Sequence, residues 1–114
     1  MPEACSSKGC KATLPAGLAA ERLCLLHFTL FIEQECQEIR RESAYGTVGH
    51  DRQVEFIQRI AMRGETLVKV ATSGFPMSDE MKARVLSTLL TLMNCRENID
   101  RAHMRQSAAR RFAG

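Results

Sequence analysis

From position 24 onward the apolar residues recur at steps of three and four. Leu25, Phe28, Ile32, Cys36 and Ile39 form one stripe, while Glu33, Glu35, Glu38, Arg40 and Arg41 fill the other face. That is the period of an amphipathic helix, and it predicts a first helix over about 24–44. The signal fades at Tyr45-Gly46-Thr47-Val48-Gly49, whose glycines mark a loop. A second helix is expected over about 50–73, with a seam of Val54, Ile57, Ala61, Gly64, Val68 and Ala71 widened by Ile60 and Leu67. Gly costs about 1 kcal/mol relative to Ala inside a helix, so Gly64 predicts a close helix approach. Gly74-Phe75-Pro76 then ends the helix, with Gly at the C-terminal position and Pro beyond it.

Ser78 is a suitable N-cap, and Asp79-Glu80 suit the positive end of a helix dipole. The third helix, over about 78–111, carries Met81, Val85, Leu89, Leu92, Arg96 and Ile99 along one stripe. Leu86, Leu90 and Met93 make its middle apolar nearly all round. Such breadth predicts burial between two partners, either the first two helices or another subunit. Short loops favour antiparallel neighbours. The expected fold class is therefore mainly α, an up-down-up three-helix bundle preceded by an N-terminal loop or short hairpin. Most of the methionines, Met62, Met77, Met81, Met93 and Met104 among them, are expected to fill gaps in the core.

With 114 residues, 45% of them hydrophobic and 25% charged, the chain has the size and composition of one globular domain. Its start, Met1-Pro2-Glu3-Ala4-Cys5, lacks a basic segment followed by an apolar stretch. No apolar run approaches the roughly 20 residues of a membrane span. A cytoplasmic location, with no membrane partner, is the expectation. In that compartment persistent disulfides are disfavoured, and five cysteines leave one unpaired in any case.

The cysteine positions say more than their number. Cys5, Cys10, Cys24 and His27 follow the pattern C-x4-C-x13-C-x2-H. Zinc takes four tetrahedral thiolate or imidazole ligands, and a structural site closes all four positions with protein atoms. Gly9 lets the first loop curl around a metal. Cys24 and His27, three apart, share one face at the start of a helix. Between the pairs, Leu14-Pro15-Ala16-Gly17 is a turn flanked by two segments that could be extended, Lys11-Ala12-Thr13 and Glu21-Arg22-Leu23. The expectation is a structural Zn2+ held by Cys5, Cys10, Cys24 and His27. Residues 1–27 would form a zinc-binding module continuous with helix 1, and residues 24–114 the three-helix domain. Cys36 and Cys95 fall among apolar neighbours and are expected to act as small core residues.

A loop, a short hairpin and a helix carrying the last two ligands resembles a treble-clef-like zinc finger. Cys5-Ser6-Ser7-Lys8-Gly9-Cys10 and Arg22-Leu23-Cys24-Leu25-Leu26-His27 are also similar to the small Cys-Cys-Cys-His module of bacterial and phage proteins, sometimes found near HNH nucleases. In that module a Gly-Cys pair closes the first loop and Cys-x-x-His opens the helix. The resemblance covers the first quarter of the chain and implies zinc binding. Nuclease residues do not carry over, because no HNH motif is present.

Charge adds one further candidate. Residues 78–114 hold seven Lys/Arg against four Asp/Glu, whereas residues 1–43 hold five against six. Arg101, Arg105, Arg110 and Arg111 place positive charge along the end of helix 3, where it could contact phosphates. Cations also suit any helix C-terminus, and aromatic interleaving for base stacking is absent. No Gly-rich phosphate loop, G-x-S-x-G or H-E-x-x-H occurs. Glu55 with Arg59 and Glu97 with Arg101 are spaced as surface i,i+4 pairs. An enzyme is therefore not expected, and no small-molecule substrate site is evident. The leading expectation is a non-enzymatic zinc-binding protein acting as a protein-interaction or regulatory module, through a protein partner or self-association. The alternative is a nucleic-acid-binding accessory or transcription-related factor using the zinc module and the Arg-rich helix end. A redox sensor with oxidisable zinc thiolates is a third reading.

Overall fold

Three helices follow one another along the chain: α1 over Leu25–Ala44, α2 over His50–Thr72 and α3 over Asp79–Ala113, with a 3-10 turn at Ala16–Leu18 ahead of them. The computed structural model describes residues 5–44 and 48–113, the side chains of 102, 103 and 105–113 aside. Each helix boundary has a local cause. The Cys24 carbonyl accepts the Phe28 N–H at 2.9 Å and opens α1. Gly74, in the left-handed region at φ +85°, follows α2 as the C-terminal position requires. Ser78 Oγ accepts the Met81 N–H at 3.1 Å and caps α3.

The helix directions follow from paired side chains. Thr29 and Glu33 on α1 meet Arg84 and Thr88 on α3, and Cys36 meets Cys95. Numbers rise together on both helices, so α1 and α3 run parallel. Glu35 pairs with Arg63 and Glu42 with Arg52, so α2 runs the other way. The up-down-up order thus holds, but the layers differ from a chain of antiparallel neighbours. α3 lies against both α1 and α2, and the first two are joined by the ion pairs Glu35–Arg63 and Glu42–Arg52. Arg63 spans that seam, bonded to Glu35 and stacked 4.9 Å from the centre of the Phe31 ring. The long α3 gives the molecule extents of 61 × 25 × 18 Å.

The core contains the whole predicted α1 stripe, Leu25, Phe28, Ile32, Cys36 and Ile39, all buried. On α2 the expectation was one residue out of phase. Its buried positions are Gln53, Phe56, Ile60, Leu67 and Val70, while Val54 and Val68 are exposed. Phe56, the bulkiest apolar side chain on the helix, gains most from leaving water, and Val70 is buried because it lies on the same face at helical spacing, along the line Phe56, Ile60, Leu67, Val70. Gly64 does not mark a close backbone approach either: a Cβ there would meet Leu92 Cδ1 at an ordinary 3.8 Å. On α3, Val85, Thr88, Leu92, Cys95 and Ile99 face inward, and Leu86, Leu90 and Met93 remain half exposed or more. Met62, Met93 and Met104 are exposed too, so only Met77 and Met81 of the named methionines pack against the core.

The N-terminal segment is a loop without the expected hairpin. Among the described residues there is no strand, only an isolated bridging residue at Thr13. The reason lies in Pro15: its carbonyl accepts the Leu18 N–H at 2.9 Å, and the Leu18 carbonyl accepts the N–H groups of Glu21 and Arg22. Successive tight turns leave Glu21-Arg22-Leu23 no straight partner. Those turns drive Leu18 into the common core, fully buried, and seat the segment on the end of α2. A Cβ on Gly17 would lie 3.0 Å from Val70 Cγ2, so only glycine fits this contact without displacing a neighbour.

Candidate metal centre

Two pieces of local geometry bring the four predicted ligands together. In the first, Cys10 donates its N–H to the Ser7 carbonyl at 3.0 Å, and Gly9 takes φ +80°. This tight turn folds Cys10 back towards Cys5. In the second, Cys24 is the N-cap of α1 and His27 stands in its first turn. Ser6 donates to the Arg22 carbonyl at 2.7 Å and Cys5 to the Ala12 carbonyl at 3.4 Å, which hold the loop against the helix start. Arg22 adopts a left-handed φ of +55° to present that carbonyl, a conformation uncommon outside glycine.

The result is a cluster in which the Sγ atoms of Cys5, Cys10 and Cys24 and a ring nitrogen of His27 all lie within 4.8 Å of one another. Cys5 Sγ is 3.4 Å from His27 Nδ1, Cys24 Sγ is 3.2 Å from the same nitrogen, and Cys10 Sγ is 3.9 Å from Cys24 Sγ. Cys5 and Cys24 are buried and the other two are half-buried. The imidazole offers Nδ1, the nitrogen nearer the backbone, to the cluster. Four donors converging at this spacing can hold a metal ion, and all of them belong to the protein.

The surroundings favour thiolates at this spot. The His27 N–H points at Cys24 Sγ at 3.5 Å, and the start of α1 places the positive end of a helix dipole beside both residues. Burial pushes the Cys5 thiol up, but backbone hydrogen bonds from Cys24 and Ser7 and the neighbouring thiols outweigh it and hold it at about 6. The Cys24 thiol moves the other way, raised by burial and by the neighbouring sulfurs. Three close sulfurs cannot all ionise without a cation to offset their charge, and the opposite shifts express that conflict.

Neither of the remaining cysteines joins the centre. Cys36 and Cys95 are buried between α1 and α3, with Cys95 Sγ 4.0 Å from the Cys36 carbonyl. Of the basic residues at the end of α3, Arg101 is exposed and pairs with Glu97 at 3.8 Å. Arg105, Arg110 and Arg111 fall on the last turns of α3, and their side chains lie outside the described residues. The i,i+4 pair Glu55–Arg59 is present at 2.7 Å. Among the described residues no helix is long and apolar enough to cross a membrane. What sequence reasoning missed is Leu18, the fully buried anchor of the loop between the two ligand pairs. Its signal was the lone leucine after Pro15, overlooked because no period surrounds it. Compared with protein-family models, curated proteins and solved structures, the chain matches none of them.

Proposed function

We propose that Cys5, Cys10, Cys24 and His27 hold one structural Zn2+, and that the protein is a non-enzymatic interaction module whose N-terminal loop the metal locks onto a helical scaffold. The observation that carries this reading is the convergence of three sulfurs and one imidazole nitrogen. Zinc–sulfur bonds of about 2.3 Å and zinc–nitrogen bonds of about 2.0–2.1 Å place tetrahedral ligand atoms about 3.5–3.8 Å apart. The separations of 3.2, 3.4 and 3.9 Å lie close to that range. Soft thiolates with one imidazole favour zinc over magnesium or calcium, which prefer oxygen. Four protein ligands leave no position open to water, which supports a structural role over a catalytic one. A curled loop supplying two ligands and a helix start supplying two is a treble-clef-like arrangement, here without its hairpin.

Zinc would act in folding rather than chemistry. The loop is anchored to the core by Leu18 and, partly buried, Leu23, and otherwise has few buried side chains, so metal binding supplies order that its own packing does not. The scaffold offers partners an apolar outer face of α3 in Leu86, Leu90 and Met93. Elemental analysis of the purified protein tests the metal: about one zinc per chain is expected, falling to near zero in Cys10→Ser. Less than about half an equivalent in the unmodified protein would overturn the centre. Salt-dependent retention of DNA or RNA would instead favour a role for the basic end of α3.

A further inference from the structure

The outer face of α3 carries more than exposed leucines. Lys82, Leu86, Leu90, Met93 and Glu97 are all exposed and succeed one another at steps of four, four, three and four. They form one straight stripe about 22 Å long at 1.5 Å per residue. The stripe borders an apolar groove of about 510 Å³ between α2 and α3, with Gly64 and Val68 on its far side. Leu86 is 60% exposed, Leu90 52% and Met93 60%, a contiguous apolar face that a soluble chain ordinarily covers.

The order of residue types along the stripe is self-complementary. A cation stands at one end, an anion at the other, and three apolar residues lie between. When two such stripes are laid antiparallel, residue 82 of one falls opposite residue 97 of the other, and residue 86 opposite residue 93. Each charge then meets its opposite twice, Leu86 meets Met93 twice, and Leu90 lies at the two-fold axis. A parallel pairing would set Lys82 against Lys82 and Glu97 against Glu97. Lys82 has no ion-pair partner among the described residues, and Glu97 has only a long contact of 3.8 Å to Arg101. The antiparallel register also lays the acidic first turn of α3 beside Arg101 of the other copy.

We infer that this face binds a second copy of the same chain, as a two-fold homodimer in which the α3 helices cross antiparallel and Lys82 of each copy pairs with Glu97 of the other. Residue for residue reciprocity is what a closed two-fold interface requires. The apolar centre supplies the association, and the flanking charges select the orientation. The inference rests on the interaction-module reading and gives that module its partner.

Sedimentation equilibrium of the full chain across the micromolar range tests it, with zinc content and helicity measured on the same samples. The unmodified protein is expected to be a dimer. Lys82→Glu and Glu97→Lys each set like charges opposite one another and should weaken the dimer at least about tenfold. An equimolar mixture of these two variants restores both cross pairs, as does the Lys82→Glu, Glu97→Lys double variant, and each should dimerise again. Leu90→Glu, which puts two carboxylates at the axis, should be monomeric with helicity unchanged. A monomeric unmodified protein carrying a full equivalent of zinc would overturn the dimer and leave the metal centre standing. A dimer indifferent to these charge changes would place the interface elsewhere and overturn the inference as well.

Discussion

Cys24 and His27 are joined twice over: the His27 N–H points at Cys24 Sγ at 3.5 Å, and His27 Nδ1 stands 3.2 Å from the same sulfur. One sulfur therefore serves both as the N-cap of α1 and as a corner of the four-donor cluster. The two roles can be separated by substitution. Cys24→Ser keeps a capping oxygen but gives up a soft ligand, whereas Cys24→Ala gives up both. In metal-free protein, urea melts should show the Ala variant less stable than the Ser variant by about 1 kcal/mol. Zinc titration should show both binding far more weakly than the parent. Equal stability of the two metal-free variants would mean that Cys24 does not cap the helix.

Metal removal should act locally. Among the described residues of the loop, Leu18 lies in the core the three helices share and Leu23 packs against it, so chelation is expected to leave most of the far-ultraviolet helical signal in place. Amide exchange over residues 5–24 should accelerate, because short turns and single loop hydrogen bonds hold them rather than a long helix. Collapse of the helical signal on chelation would show that the centre supports the whole fold.

Acid should release the metal, because protons and zinc compete for the same atoms. The sign follows from the ligands. Cys5, held at about 6, is largely thiolate at neutral pH and takes up its proton as the pH falls through that value. Cys24, raised above the ordinary thiol range, must lose a proton to bind at any physiological pH. Apparent zinc affinity should therefore climb continuously from pH 5 to pH 8, as read by competition with a chromophoric chelator. A flat profile over that interval would contradict thiolate ligation.

Two glycines give a matched test of packing. A methyl on Gly17 runs into Val70 Cγ2 at 3.0 Å, whereas one on Gly64 meets Leu92 at 3.8 Å. Gly17→Ala should destabilise by about 1 kcal/mol or more through overpacking. Gly64→Ala should stabilise by up to about 1 kcal/mol through helix propensity. Thermal melts of the two variants should thus move in opposite directions.

The buried thiols should be chemically silent. Hydrogen bonding to Cys95, then burial, pushes the Cys36 thiol far up, while the same bond draws Cys95 down. Both sit behind the α1–α3 contact. A thiol reagent should label three cysteines after chelation, Cys5, Cys10 and Cys24, and all five only on unfolding. Fast labelling of Cys36 or Cys95 in the folded protein would indicate an opening between those helices.

How much of this could be read from the chain depended on how many apolar faces each segment carries. α1 has one stripe, bounded by charge, and its buried apolar residues are legible; Thr29, buried beside them against Arg84, is not, because a polar residue gives no hydrophobic signal. α2 has two overlapping stripes one residue apart, Val54-Gly64-Val68 and Phe56-Ile60-Leu67-Val70, and periodicity alone does not rank them; the bulk of Phe56 decides. The middle of α3 is apolar all round, so its pattern implied several neighbours without saying which faces they take. The metal ligands were legible because their spacing is stiff at short range: a glycine turn and one helical turn. The order of layers was not, since α1 pairs with a helix some fifty residues away, as Thr29 with Arg84 shows. The hairpin failed because a proline followed by short turns closes a 3-10 helix before two strands can meet.

The placing of α3 between the other two helices has a consequence for how the molecule comes into being. α1 and α2 are joined by the Glu35–Arg63 and Glu42–Arg52 pairs, and the buried apolar residues of both share one cluster with those of α3. The helix that both require is the last to be synthesised. A nascent chain can bring together the four candidate ligands, which end at His27, before the helix that completes the core has been made. The four-donor site is thus local in the chain, whereas the core is not: it closes only when α3 joins α1 and α2.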